Sequence, residues 1–514
     1  MAITLSQLES HLWESANILR GPVDAADFKT YIFPVLFFKR VCDVFDEEVR
    51  DALEESGGDR QYAFFPENHR FQVPEGAHWN DVRQATSNLG HALQTAFRAV
   101  EQANPATLFG VFGDAGWTNT ERLSDATLRN LIEHFSWFDL GNANVDADVL
   151  GQAYEYLIKK FADAQNKKAG EFYTPRSVIR LLSDILDPQE GDSIYDPACG
   201  TGGMLLGAVQ HVRDAGRDLK SLYGKLYGQE KNLTTSAIAR INLFLHGIED
   251  FKIVRADTLR HPAFLDNDRL ARFDCVIANP PFSLEAWGDR EWVNDPWGRN
   301  VAGVPPATSG DFAWVQHMIA SMRPATGRMT VVMPHGVLFR AGAEGRIRQS
   351  LIERDELEAV IGLAPNLFYG AGLAACVLVF RARKAEARRG KVLLIDAAHL
   401  FRKERAQNVL LSEHAAQILE WYMAFADVPH VARVVSHDEI ARNGYNLNIS
   451  RYVEKKSGEN RLSVEEALVN LQASLAAAYA AEDRLQSLLV REGLLSPSLI
   501  ETESETEIEK GVTA

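Results

Sequence analysis

The sequence predicts an α/β protein: a doubly wound, mostly parallel sheet, preceded by a helical N-terminal region and followed by a C-terminal helix. Three observations predict it. From about residue 170 the short apolar runs "SIYD", "LYGQE", "KIVRAD", "DCVIAN", "MTVVMP", "LEAVIGL", "ACVLVF" and "KVLLIDA" alternate with stretches of helical spacing. That alternation belongs to strands covered by helices on both faces. Before about residue 165 the apolar spacing is helical, and after about 455 an Ala/Leu-rich segment carries an apolar stripe.

At 514 residues the chain is too long for one ordinary domain. The changes of pattern place boundaries that give residues 1–165, 166–455 and 456–514. In the first part, "FKTYIFPVLFFKRVCDVFDEEV" brings Phe33, Leu36, Phe37 and Val41 to one helix face, with Pro34 as a kink or a helix start. The turn-rich "ESGGDRQYAFFPENHRFQVPEGAHW" reads as a loop. In the last part, "LSVEEALVNLQASLAAAYAAEDRLQSLLV" reads as a helix and "ETESETEIEK" as a disordered acidic tail.

Composition limits function. A hydrophobic fraction of 46% with 24% charged residues describes a soluble globular protein. The N-terminus carries acids and lacks a basic start or cleavage site, and no apolar run reaches spanning length, so the expected location is cytoplasmic, away from membranes. Cys42, Cys199, Cys275 and Cys376 lie far apart with no CxxC pair; buried thiols are expected, with neither a metal site nor a disulfide framework. The formal net charge of −16 is ill suited to gripping nucleic acid alone. Either the substrate is something else or a partner brings the basic surface.

In an open α/β sheet, ligands bind beyond the carboxyl ends of the strands. Three stretches fall there. In "YDPACGTGGM", Asp196 closes a strand, and Gly200, Gly202 and Gly203 open a helix and allow a close backbone approach. The third glycine of G-x-G-x-x-G is missing, and no Lys-Ser/Thr pair makes a P-loop. A nucleoside without phosphates fits better. In "YGQEKN", Glu230 ends the next strand, placed to accept from both ribose hydroxyls, and in "RADTL", Asp257 reaches toward an adenine amino group. Singly, each acid is better explained by a helix cap; together they describe a pocket for S-adenosylmethionine.

The run "DCVIANPPF" ends a strand in an amide, two prolines and a ring. A proline-terminated strand with a core Phe is one reading. The other is chemical. The exocyclic N6 of adenine is a poor nucleophile because its lone pair is delocalised; the Asn279 side-chain oxygen and the Pro280 carbonyl would hold its two hydrogens. Pro281 would keep the turn rigid, and Phe282 would stack on the base. Such a base must first leave the duplex.

These residues carry a family likeness: the chain resembles the modification subunit of type I restriction-modification systems, a DNA adenine N6-methyltransferase of the gamma motif order. The resemblance extends from "ESANILRGPVDAADFKTYIFPVLFFKR" to "GYNLNISRYV". It implies a methyltransferase sheet that uses S-adenosylmethionine. Glu171, Phe172, Tyr173, Thr174, Pro175 and Arg176 match its cofactor-side motif, Thr201, Gly202 and Gly203 its glycine loop, Glu230 its ribose acid, and Asn279 through Phe282 its catalytic motif. Cys199 stands where relatives often carry Ala.

The resemblance further implies that DNA sequence is read by a separate specificity subunit, with two modification chains to each specificity chain. It leaves open whether a nuclease subunit joins them. The C-terminal helix then reads as a docking element, and Arg340, Arg346 and Arg348 as local contacts to the DNA backbone. The segment from Ser283 to Asp311, with Trp287, Trp292 and Trp297, reads as a lid near the flipped base. Two rival readings remain: a self-sufficient methyltransferase of RNA or protein, and a silent scaffold, against which the intact Asn279 speaks.

Overall fold

The computed structural model describes residues 3–164, 174–368, 374–404, 407–454 and 464–492. The chain divides into two compact units, Met1–Glu454 and Lys455–Ala514. In the first, nine strands form one sheet: β1 (Ile194–Asp196), β2 (Leu226–Glu230), β3 (Phe251–Arg255), β4 (Cys275–Ala278), β5 (Arg328–Pro334), β6 (Leu357–Gly362), β7 (Ala375–Arg381), β8 (Lys391–Asp396) and β9 (Ala432–Ser436). Their spatial order is β3-β2-β1-β4-β5-β7-β6-β8-β9. From β3 to β5 all neighbours are parallel. Strand β7 runs antiparallel between β5 and β6, and β9 antiparallel to β8.

The five-strand parallel part matches the expectation, and the reversed β7 goes beyond it. Strands β4, β6 and β7 read alike as buried, mainly apolar runs, because both faces of the sheet are covered. Apolar runs carry no mark of direction. Two apolar clusters cover the faces: one takes in the helices Arg176–Leu186 and Gly203–Asp214, the other the helices Asp311–Ala320 and Ala343–Glu353.

The helical N-terminal region folds around the helix Phe28–Glu55, which is buried without interruption from Tyr31 to Phe45. Pro34 lies inside this helix and does not start it. An interior proline costs about 3 kcal/mol, which burial of the surrounding aromatic side chains offsets. The cluster continues into Ile238, Ile241 and Phe244 of the helix Leu233–Leu245 that joins β2 to β3, with Phe37 stacked on Phe244 at 5.7 Å. This contact ties the region to the half of the sheet that carries Glu230. All four cysteines are free and buried. The second unit contains one described helix, Val464–Arg491. Among the described residues no helix is long and apolar enough to cross a membrane.

Candidate active site

The strand order reverses at β1, which connects outward to β2 and β3 while β4 returns on its other side. At such a point the two sets of loops diverge and leave a crevice. Register puts Asp196 of β1 beside Gly228 of β2, and Tyr195 beside Val276 of β4. The carboxyl ends of three strands therefore bring Asp196, Glu230 and Asn279 to one edge.

On the β1 side, the turn after Asp196 is built for close approach. Gly202 has φ of +84° and caps the helix Gly203–Asp214. The Gly202 N–H donates to the Cys199 carbonyl at 2.7 Å, and Cys199 N–H to the Gln229 carbonyl at 3.0 Å. Gly228 makes room for the Cys199 side chain: a Cβ there would stand 3.0 Å from its sulfur and 2.4 Å from Ile253 Cδ1. The Glu230 carboxylate accepts from Gly200 N–H at 3.2 Å and Asn232 N–H at 2.7 Å, so it faces the glycine turn. Asn242 donates to the Thr201 carbonyl at 2.9 Å from below.

Asp196 is fully buried and accepts from Ala198 N–H at 3.0 Å. Burial pushes its carboxyl up to about 8 against the pull of that N–H, and the charge of Glu230 adds to the rise. Asp257 lies two residues past β3, where it pairs with Lys231 at 2.9 Å and accepts from Arg260 N–H at 3.3 Å. Thr258, next to it, donates to the Pro197 carbonyl at 2.6 Å and closes the wall between the two loops.

On the β4 side, Asn279 Nδ2 donates to Thr174 Oγ1 at 2.9 Å, while its Oδ1 is buried and has no partner among the described residues. The hydroxyl thus turns the amide so that its oxygen stays available. Pro280 is buried; Pro281 and Phe282 are half-buried, with Phe282 edge-on to Phe368 at 6.2 Å. Pro175 caps the helix Arg176–Leu186, and Arg176 is ion-paired to Glu155. Glu171, Phe172 and Tyr173 lie outside the described residues.

The chain matches the family model of the N-6 DNA methylases over residues 145–461 and that of the HsdM N-terminal domain over residues 8–135. It belongs to the N-6 DNA methylase family. It is 32% identical to the type I restriction enzyme MjaVII methylase subunit of Methanocaldococcus jannaschii over 90% of this chain and 81% of that protein. The MjaIX methylase subunit of the same organism is 29% identical over 94% of this chain and 90% of that one. A crystal structure of a type I restriction-modification methyltransferase subunit from Streptococcus thermophilus superposes with a TM-score of 0.77 at 30% identity, covering 88% of this chain and all of that one. The chain is thus a DNA adenine N6-methyltransferase of the type I modification-subunit kind.

Within this methylase, two expectations give way to the structure. The segment Ser283–Asp311 is not a tryptophan-faced lid. Trp287 and Trp292 are buried and meet edge to face at 5.2 Å, with indole N–H groups donating to the carbonyls of Pro306 at 3.0 Å and Leu259 at 2.8 Å. Trp292 and Trp297 flank the buried guanidinium of Arg299 at 4.4 and 4.9 Å. A buried indole needs an acceptor and a buried cation needs a partner. The loop supplies Pro306 and Asp295, which pairs with Arg299 at 2.6 Å, and the stretch after β3 supplies the carbonyls of Thr258 and Leu259, to which Arg299 also donates. Of the three arginines expected at DNA, Arg348 is buried on the carbonyls of Tyr445, Val337 and Arg340, and Arg340 is paired with Asp311 and Glu344; Arg346 alone is exposed.

A polar chain beneath the site had no separate signal in the sequence. Arg299 lies 3.4 Å from His317 Nδ1, His317 Nε2 lies 3.1 Å from the Tyr195 hydroxyl, and that hydroxyl points to Gln229 Oε1 at 3.5 Å. Burial and then the charge of Arg299 hold His317 neutral, well below its usual range. Because Arg299 only donates, Nδ1 accepts and Nε2–H donates to the tyrosine. The chain runs under Asp196 and Glu230, whose sequence neighbours are Tyr195 and Gln229.

Proposed function

We propose that this subunit moves the methyl group of S-adenosylmethionine to N6 of an adenine turned out of a specific duplex DNA sequence, with Asn279 and Pro280 as the catalytic acceptors. The observation that carries the reading is the Asn279 amide, held by Thr174 with a buried oxygen that has no partner among the described residues, at the crevice between β1 and β4. The strand-end groups suit the cofactor. Glu230 is an acceptor for hydroxyls and a companion to a cation, with the buried acid of Asp196 beside it, whereas a phosphate there would face the Glu230 carboxylate. Glu230 takes the ribose and Asp257 the cofactor's adenine. The turn Gly200, Thr201, Gly202 and Gly203 takes the remainder, with Pro175 and Arg176 at the outer wall.

Bound there, S-adenosylmethionine supplies an electrophilic methyl group on a positively charged sulfur. The protein's part is placement. Asn279 Oδ1 and the Pro280 carbonyl accept the two N–H groups of the target base, which draws the nitrogen toward a tetrahedral shape and frees its lone pair. Pro280 and Pro281 fix the direction of those acceptors, and Phe282 offers a face for the ring. Positioning of this kind accounts for much of the barrier lowering when no acid or base of matched pKa is required.

Asn279→Ala tests the reading: methyl transfer to duplex DNA is abolished while calorimetry finds cofactor affinity unchanged, and substantial methylation by the variant sinks it. The net charge of −16 and the exposed Leu468, Leu471, Leu475, Tyr479, Leu485 and Leu488 of the helix Val464–Arg491 support a partner that brings both basic surface and sequence reading. We assign that role to a specificity subunit, with two modification chains to one such subunit.

A further inference from the structure

The chain leaves the catalytic stretch at Ser283, which sits in left-handed backbone with φ of +50°. A non-glycine residue adopts that conformation at a cost of about 1 kcal/mol, so something must hold it. The Ser283 N–H donates at 2.7 Å to Oδ1 of Asp311, a carboxylate with no solvent exposure. Its other oxygen is ion-paired to Arg340, from the connection that follows β5. Arg340 also binds Glu344, and Glu344 Oε1 accepts from Ser309 Oγ at 3.1 Å. Gly310 N–H donates to the Leu284 carbonyl at 2.9 Å, so the residues after Phe282 and those before Asp311 lie paired.

We propose that Asp311 is a positioning residue for methyl transfer: it holds the exit of the Asn279–Phe282 stretch in register, and Arg340 holds Asp311. The inference rests on the assignment of that stretch to catalysis. A buried carboxylate keeps its place only while both oxygens are satisfied. Here one oxygen is committed to the catalytic turn and the other to a cation on a neighbouring connection. The Pro280 carbonyl and the Phe282 ring lie within three residues of that anchor, so a shift of Ser283 reaches them directly. The glycine turn and Glu230 belong to other connections and make none of these bonds. Asp311 therefore acts on the base side of the reaction and not on the cofactor side.

The test compares wild type, Asp311→Asn, Arg340→Lys and Asn279→Ala in the full chain, within the assembly that supports methylation. Single-turnover methyl transfer is normalised to the number of sites that bind cofactor, and cofactor affinity is measured in the same samples. Asp311→Asn lowers the normalised rate on the order of a hundredfold, as a misplacement of about 1 Å does, with cofactor affinity unchanged. Arg340→Lys, which keeps the charge and loses the fork, lowers it severalfold. Lost stability alone would reduce the number of binding sites and leave the normalised rate untouched. A normalised rate equal to wild type in Asp311→Asn overturns the proposal, as does cofactor affinity falling in step with the rate. If Asp311→Asn does not fold, Arg340→Lys decides, and an unchanged rate there overturns it. Methylation by Asn279→Ala would instead remove the catalytic assignment itself, a failure distinguishable from the first.

Discussion

Thr174→Val separates the two sides of the crevice. The resemblance places Thr174 on the cofactor side, whereas the structure puts its hydroxyl 2.9 Å from Asn279 Nδ2. Valine keeps the shape and removes only the acceptor. The lost bond is between neutral groups and contributes about 1 kcal/mol net, within about 0.5 either way. Without it the amide is free to rotate end for end, and the rotated form turns two N–H groups toward the base amino group, donor against donor. The expected fall in methyl-transfer rate is therefore about threefold to tenfold, much less than the abolition expected of Asn279→Ala. Cofactor affinity stays unchanged, and Thr174→Ser, which keeps the acceptor, restores the rate. The assay is single-turnover methylation of duplex DNA beside calorimetry with S-adenosylmethionine. A wild-type rate in the valine variant would refute the reasoning. A loss of cofactor affinity that accounts for the whole rate change would return Thr174 to the cofactor wall.

Three further outcomes are expected. Glu230→Ala weakens cofactor binding by roughly tenfold to a hundredfold, the equivalent of about 1.5 to 3 kcal/mol for bonds to a charged acceptor; unchanged affinity by calorimetry would take Glu230 out of the site. The Asp196 carboxyl titrates near 8 in the fold against an ordinary 3.8, so the folded chain keeps a proton that the unfolded chain releases. Stability measured without cofactor is therefore highest below pH 4 as far as this group is concerned, and falls as pH rises toward 8, by a few kcal/mol. Chemical denaturation across that range shows the slope, and Asp196→Asn removes it; a slope that persists in the variant assigns it elsewhere. Deletion of the chain after Val453 abolishes association with a specificity subunit and methylation while sparing cofactor binding, and an unchanged pull-down of that subunit by the shortened chain contradicts the docking role.

Much of the sheet is legible in the sequence because burial on both faces leaves mainly apolar runs at β4 to β8, most of them closed by a turn former or an acid. The strand ends at Asp196 and Glu230 follow for the same reason. What composition does not carry is direction and partnership. Nothing in "ACVLVF" distinguishes an antiparallel β7 from its parallel neighbours. Trp287, Trp292 and Trp297 look like a sticky surface until the carbonyls of Leu259 and Pro306 are placed beside the first two. Asp311 carries a signal, an acid opening an apolar helix, but that signal means a favourable charge in a first helical turn as readily as an anchor. Its meaning depends on Arg340, 29 residues on, and on the fold that brings them together.

The inward-turned loop Ser283–Asp311 changes when conformational freedom is given up. A lid orders itself at the moment of capture, and the entropy lost then weakens binding of the very base it encloses. Here two buried indoles and a buried guanidinium order the segment as the chain folds. On the proposed function, a flipped adenine meets a seat already formed, so the energy needed to open the duplex has to come from the base's own contacts and from whatever holds the DNA. Substitutions at Trp287, Trp292 or Arg299 would accordingly register first in thermal denaturation, and only through that in the choice of base.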